Sequence, residues 1–461
     1  MEYKLYNNDS LVQLDLLEEN SIDSIVTDPP YELNFMGKGW DNAGISFNPE
    51  IWQKCYRVLK TGGYLLAFGG SRTFHRIACA IEDAGFEIRD TIIWLYGSGF
   101  PKSMALDKAI EGKLTTGSAN KTEFHKLNGV QEDKHHYGFT TSNKEQGFRP
   151  KDYTTEGASD QWLKELDATT ELAKQYKGWG TALKPSFEPV IVARKPFKGS
   201  LVDNVIENGV GGINIDECRV GTEVIKGGTM PKMNATSDGI NIYNFGKKDA
   251  ERLEREDSVG RFPANTILTY DETDFDEVCG GFPNTKTGWK NTDVTRTTDN
   301  ITVDFANKVG YTGNHYNDSG SACRYFYCAK ASKKDRDEGL DDFEEKTAGE
   351  LTERKEGSAG ITAFTGSRVP KRNSHPTVKP TELMQYLVRL VTPKGGTILD
   401  PFMGSGSTGK AVAYENKERK SNYKFIGIER EKEYCEIAKA RIKYASDQEN
   451  TDEQISIIDL E

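Results

Sequence analysis

No stretch of the 461 residues approaches the ~20 consecutive apolar positions that a membrane-spanning helix needs. The longest apolar runs are of the size of Tyr64–Phe68, and mean hydropathy is −0.65. The opening MEYKLYNNDS lacks a basic-then-apolar leader pattern, so the expected setting is the cytoplasm, with no membrane partner. Cysteine is sparse: seven residues, an odd number, with no CxxC pair. That excludes a disulfide framework and disfavours zinc at Cys218, Cys279, Cys323 and Cys328, where buried reduced thiols are expected instead. His135-His136 lies in a polar stretch and reads as plain surface, so no metal site is expected. A net charge of −11 and a pI near 5.3 argue against a non-specific nucleic-acid coat. They leave room for local basic clusters, at Arg194, Lys195 and Lys198 and again at Arg368, Lys371 and Arg372. The acidic runs Asp271–Glu277 and Asp335–Glu350 read as solvated faces or linkers. Internal repeats are absent.

What is present is an alternation of strand and helix signals. Ser21–Thr27 (SIDSIVT) reads as a buried strand halted by Asp28-Pro29-Pro30-Tyr31, since two prolines permit neither ladder nor helix. A helix signal follows, with Asn48 as cap, Pro49 in the first turn, an apolar face through Leu59, and Gly62-Gly63 as its stop. Tyr64–Phe68 and Ile88–Tyr96 read as strands with a helix, Thr73–Ala84, between them. Phe187–Ala193 adds a strand expected to pair antiparallel with Ile88–Tyr96. This pattern predicts an α/β fold with a mainly parallel sheet. Between these elements, 97–184 is polar and weakly periodic. Residues 197–331 carry strand-like pieces (GGINID, ANTILTY, CRYFYCAK) among Gly/Asn/Asp turns, which suggests a separate irregular region.

The stretch ILDPFMGSGSTG, from Ile398 to Gly409, is a short strand running into Gly404-x-Gly406-x-x-Gly409. Missing side chains let the backbone approach a nucleotide-like ligand there, at the N-terminus of the next helix. A second strand, FIGIER, ends in Glu429, an acid placed to bind a ribose diol. Only one more helix follows, so the remaining parallel strands must come from the N-terminal part. A nicotinamide-dependent oxidoreductase would use the same glycine loop but leaves DPPY unexplained. DPPY suits attack by an exocyclic base amine, whose lone pair is delocalised into the ring and must be drawn toward tetrahedral geometry. Asp28 offers a carboxylate, Pro29 a backbone carbonyl whose direction Pro30 fixes, and Tyr31 a flat face for an unstacked base.

These residues resemble the DNA amino-methyltransferases that make N6-methyladenine or N4-methylcytosine, in the circularly permuted order with DPPY before the glycine loop and in the phage and prophage type. Supporting stretches are SIVTDPPYELNFMGKGWD, LKPSFEPVIVARKP, GVGGINID, CRYFYCAKASKKDR and HPTVKPTELMQYLVRLVTPKGGTILDPFMGSGSTG. The resemblance implies a Rossmann-like S-adenosylmethionine-dependent methyltransferase sheet assembled from N- and C-terminal segments, with an inserted target-recognition region. It makes Asp28, Pro29, Pro30 and Tyr31 catalytic. Asp400, Phe402, Gly404, Ser405, Gly406 and Glu429 become cofactor-binding, with Asp9 beside the cofactor adenine although Asn8 replaces the usual preceding glycine. His375, Pro376, Thr377 and Lys379 resemble the segment that closes over the methionine end of the cofactor.

The implied organisation is a catalytic half at 1–96, a polar insertion at 97–184, a returning strand at 185–196 and target recognition at 197–331. A charged linker follows at 332–374, then a cofactor half at 375–445 and an acidic tail at 446–461. An aspartate leading DPPY favours adenine N6, with cytosine N4 as the alternative and a catalytically silent DNA-binding module as a further one. Cytosine C5 is set aside because none of the seven cysteines follows a proline. Double-stranded DNA is the implied partner, and a homodimer is compatible with the resemblance.

Overall fold

The computed structural model describes residues 1–33, 44–96, 103–117, 168–225, 256–270, 333–346 and 372–447, with residue 227 and the short stretches 229–231, 235–236, 239–240, 252–254, 284–287, 318–321 and 326–330. The chain divides into a larger unit (Met1–Gly97, Phe187–Arg354, Ser367–Glu461) and a smaller one (Ser98–Ser186, Lys355–Gly366).

The larger unit opens with β1 (Tyr3–Asn7), α1 (Ser10–Asp15) and β2 (Ile22–Thr27). Every residue of β2 is buried, which explains why IDSIVT shows no in-out alternation: helices cover both faces of a central parallel strand. Helix α2 (Pro49–Val58) starts as its sequence predicts, with the Asn48 side chain accepting the Glu50 N–H and Pro49 in the first turn. It gives way directly to β3 (Leu59–Phe68), so Gly62 and Gly63 lie inside the strand rather than ending the helix. Gly62 is needed there for another reason: its φ is +84°, and a Cβ would fall 2.0 Å from the Asn204 side-chain amide. Next come α3 (Phe74–Asp83) and β4 (Glu87–Tyr96).

In the smaller unit, α4 (Leu106–Thr116) and α5 (Glu171–Gln175) are tied by buried Glu111, which accepts from the Thr170 N–H at 3.0 Å and the Thr170 hydroxyl at 2.7 Å.

Back in the larger unit, β5 (Phe187–Arg194) and α6 (Leu201–Asn208) precede two strands from the segment expected to form a separate region, β6 (Thr266–Tyr270) and β7 (Tyr327–Lys330). Both extend the central sheet, so the TILTY of ANTILTY and the YCAK of CRYFYCAK are strands of that sheet, while Cys323–Tyr325 lie outside the described residues. GGINID is not a strand. It runs as irregular backbone into a short 3-10 turn, Asp216–Cys218, with the Asn214 N–H bonded to the Leu390 carbonyl. Apart from short two-stranded ladders such as Val220–Ile225 with Ser258–Arg261, the chain continues with α7 (Lys333–Asp337), α8 (Thr381–Val391), β8 (Thr397–Asp400), α9 (Ser407–Arg419), β9 (Lys424–Glu429) and α10 (Lys432–Asp447).

The sheet order is β1-β9-β8-β2-β3-β5-β4-β6-β7. All pairs are parallel except those of β5, which runs against β3 and β4, as expected for its pairing with the latter. N- and C-terminal segments interleave: Asn7 faces Glu429, and Ser24 faces Ile398. One face packs Leu383, Leu387, Val412 and Ile442 of α8, α9 and α10 against Phe68, Trp94 and Phe425. The other packs Leu14, Trp52, Cys55 and Ile81 of α1, α2 and α3 against Leu65, Leu399 and Ile428. The result is helices on both faces of a mostly parallel sheet. Among the described residues no helix is long and apolar enough to cross a membrane.

Candidate active site

Parallel strands put their C-terminal ends on one edge, and the glycine loop leaves that edge from β8. Asp400, 2% exposed, closes the strand. Its Oδ1 accepts from the Thr27 hydroxyl at 2.7 Å and the Phe402 N–H at 3.1 Å, and its Oδ2 from the Thr408 hydroxyl at 2.6 Å. Burial pushes the Asp400 carboxyl up to about 6, although these three hydrogen bonds pull the other way. Asp400 therefore organises the loop from beneath and joins it to the last residue before DPPY.

Gly404 and Gly406 both have positive φ, +53° and +77°, and Gly406 precedes the first turn of α9. A Cβ at Gly404 would fall 2.9 Å from His375 Nε2, and one at Gly406 2.8 Å from Ala438 Cβ, so only glycine fits either place. The Gly404 N–H donates to Glu429 Oε2 at 2.8 Å, and the Glu431 N–H to Glu429 Oε1 at 2.7 Å. Burial raises the Glu429 carboxyl above its ordinary value. Each oxygen retains a lone pair for a diol. Asp9 caps α1 through the Leu11 N–H at 2.8 Å and follows Asn8, whose N–H reaches the Glu429 carbonyl. Phe402 packs against Trp52 with ring centroids 6.2 Å apart.

DPPY follows β2 on the neighbouring strand end. The Pro30 carbonyl accepts the Ser46 hydroxyl at 2.6 Å, which fixes the turn. Asp28 Oδ2 accepts from Lys379 Nζ at 2.6 Å, whereas Asp28 Oδ1 is buried with no hydrogen-bond partner among the described residues. The Tyr31 hydroxyl donates to Glu188 Oε2 at 2.6 Å and accepts from Lys379 at 3.1 Å. Burial, with Asp28 and Glu188 nearby, holds the Tyr31 phenol well above its ordinary range. For Lys379, burial alone would lower the ammonium, but the Asp28 and Glu188 carboxylates outweigh it and hold it above its usual value.

The structure thus brings together nearly all the residues singled out from sequence, with one reassignment. His375 lies against Gly404, and its Nδ1 donates to the Thr377 carbonyl at 2.6 Å. Burial pushes the His375 imidazole down to about 3. Lys379, expected beside it on the cofactor, instead enters the DPPY pocket. Sequence reasoning missed Glu188, read only as part of a strand, although a carboxylate next to proline at a strand start is a signal. It also missed Asp335. The charged segment 332–374 is not simply a linker: Leu340 is fully buried, and Asp335 lies between Lys410 and Arg441, both with 0% exposed side chains. Arg441 donates to the Ser405 carbonyl at 2.7 Å and hydroxyl at 3.1 Å, so this cluster grips the glycine loop from behind. Cys218 is buried, and Cys279 and Cys323 lie outside the described residues.

Among characterised proteins, 112 residues are 36% identical to the type II methyltransferase M.HpaI of Haemophilus parainfluenzae, covering 22% of this chain and 35% of that protein. Another 97-residue match, 36% identical, is to M2.DpnII of Streptococcus pneumoniae, covering 20% and 34%. A longer match of 253 residues is 22% identical to M.HindIII of Haemophilus influenzae, covering 46% and 64%. The chain therefore spans about a third of the first two relatives. Among solved structures, the M1.HpyAVI–SAM complex aligns over 96% of this chain and 100% of its own at 14% identity, TM-score 0.34. PvuII DNA methyltransferase (cytosine-N4-specific) aligns over 99% and 91% at 12% identity, TM-score 0.38. Residues 22–440, containing both DPPY and the glycine loop, match the model of the N6/N4 family described as DNA methylase, and the chain belongs to that S-adenosylmethionine-dependent family.

Proposed function

We propose that the protein transfers a methyl group from S-adenosylmethionine to the exocyclic N6 of an adenine swung out of double-stranded DNA. The observation that carries this reading is Asp28 Oδ1: a buried carboxylate oxygen without a partner among the described residues, one residue beyond the Thr27 hydroxyl that touches the glycine loop. A buried acceptor left open is costly unless something fills it, and an amine N–H is such a group.

The residues fit the cofactor. Glu429 would take the ribose diol, Asp9 the adenine end, and the Gly404–Gly406 backbone and His375 the methionine end; Phe402 and Ser405 complete the loop, shaped by Asp400. When bound, S-adenosylmethionine supplies a methyl group already activated on a sulfonium. The chain's own work is alignment. Asp28 Oδ1 and the Pro29 carbonyl accept the two amine hydrogens and favour a tetrahedral nitrogen, and Tyr31 flanks the base. In the transfer the nitrogen would gain the methyl carbon as the carbon–sulfur bond of the sulfonium breaks, its electron pair leaving with sulfur as a neutral thioether, and the nitrogen would lose one proton to solvent. Because DPPY precedes the glycine loop, we read the chain as a circularly permuted member of the family and as the phage or prophage type.

The test is incubation with S-adenosylmethionine and unmethylated DNA of mixed sequence, followed by nucleoside mass spectrometry. N6-methyladenine is expected; N4-methylcytosine would keep the mechanism and change the base. Asp28→Ala should lower kcat by about 10²–10³-fold or more while cofactor affinity holds, and a parallel loss of both would refute the assigned role.

A further inference from the structure

Glu188 has no part in the mechanism above, yet it is the most heavily engaged acid of the pocket. It stands at the start of β5, and β5 runs against its neighbours. Its first residues therefore reach the edge where β2, β3 and β4 end, with Glu188 in register with Trp94. Glu188 Oε2 accepts the Tyr31 hydroxyl at 2.6 Å and lies 3.3 Å from Lys379 Nζ. Tyr96 also lies close to its carboxylate. The Lys379 ammonium is 2.6 Å from Asp28 Oδ2 and is walled by the rings of Phe68, Tyr31 and Trp94, at 4.8, 5.2 and 5.9 Å from their centroids. Asp28 and Glu188 thus flank a single, largely buried cation: the side chains are 20% exposed for each acid and 7% for the lysine, so solvent screens the group only weakly.

We propose that Glu188 is a positioning residue of the methyl transfer, dividing the Lys379 ammonium between two carboxylates and holding the Tyr31 hydroxyl so that Asp28 keeps Oδ1 in place as an acceptor. This rests on the amino-methyltransfer reading. Charge interactions are strong where water is excluded. An ammonium facing Asp28 alone would pull electron density from the oxygen that must hold the amine. Two carboxylates left in this pocket without the ammonium would repel each other, and Asp28 would be pushed from the position in which Oδ1 meets the amine. The triad avoids both conditions, and the same Glu188 oxygen fixes the Tyr31 ring through its hydroxyl. Glu188 touches no reacting atom and acts through Lys379 and Tyr31.

The test is steady-state methylation with cofactor affinity by calorimetry for the wild type, Glu188→Gln, Lys379→Met and the double variant. Glu188→Gln should lower kcat about 10- to 100-fold, with cofactor Kd and DNA KM changed by less than about threefold. Lys379→Met should fall further, and adding Glu188→Gln to it should restore activity at least about tenfold, because the like charge beside Asp28 is gone. A purely structural role would make the double variant the worst of the three. Glu188→Gln with wild-type kcat, or a double variant no better than Lys379→Met, overturns the inference. Should the lysine variants fail to fold, Glu188→Gln decides alone, since glutamine keeps the size and can still accept from Tyr31. A wild-type protein that methylates no DNA would overturn the functional reading and this role together; an active one with an indifferent Glu188 overturns only the latter.

Discussion

Asp400 is a carboxylate in a place that disfavours its charge. Its folded-state value of about 6 lies above that of an unfolded aspartate, so the folded protein binds this proton more tightly than the unfolded chain does. Its contribution to stability is fully present below about pH 4 and is lost as pH rises through about 6. Asp400→Asn, which cannot ionise, should remove that dependence. Urea unfolding between pH 4 and 8 should show the variant gaining on the wild type as pH rises, by about 2–3 kcal/mol across the range. A gap that does not change with pH would contradict the assignment. The residue was legible in sequence as part of a cofactor loop, but its role as the support linking Thr27, Phe402 and Thr408 was not. Thr27 is 373 residues away, and only folding reveals that partner.

At the scale of elements, local rules worked where local chemistry decides. Asn48-Pro49 starts a helix because a side-chain acceptor and a missing donor both suit a helix N-terminus. They failed at Gly62-Gly63, GGINID and the Asp335 run, where long-range packing decides. Gly62 makes room for Asn204, and the acidic run supplies a counter-charge to cations 75 and 106 positions later. Asp335→Asn should consequently cost far more than a substitution on a solvated face. Fully buried Lys410 would keep Glu338 at 2.7 Å, but it and Arg441 would lose their shared carboxylate, a loss of up to about 3–5 kcal/mol of stability. Thermal and chemical denaturation measure it; a loss within about 0.5 kcal/mol would mean that this helix is a dispensable strap.

At the scale of the whole molecule, the legible part was the assembly of one sheet from two ends of the chain, because each end alone has too few strands. All six tryptophans lie at or before position 289, outside the C-terminal segment that carries the glycine loop. S-adenosylmethionine at 100 times its Kd should add about 2.7 kcal/mol to stability. If the sheet unfolds as one unit, tryptophan fluorescence and far-ultraviolet circular dichroism will report the same rise in Tm. A rise seen by circular dichroism alone would show that the two ends unfold separately.

The pairing of Asn7 with Glu429 also sets an order of events on the ribosome. The nascent chain exposes β1 and the DPPY turn long before β8 and β9 exist to receive them. At 5–20 residues per second that delay is roughly 20–80 s. During it the apolar strands depend on chaperones or on pairing among themselves. A half-translated chain thus carries the DPPY turn without the glycine loop, and on the proposed mechanism it stays inactive until its C-terminal segment has been made.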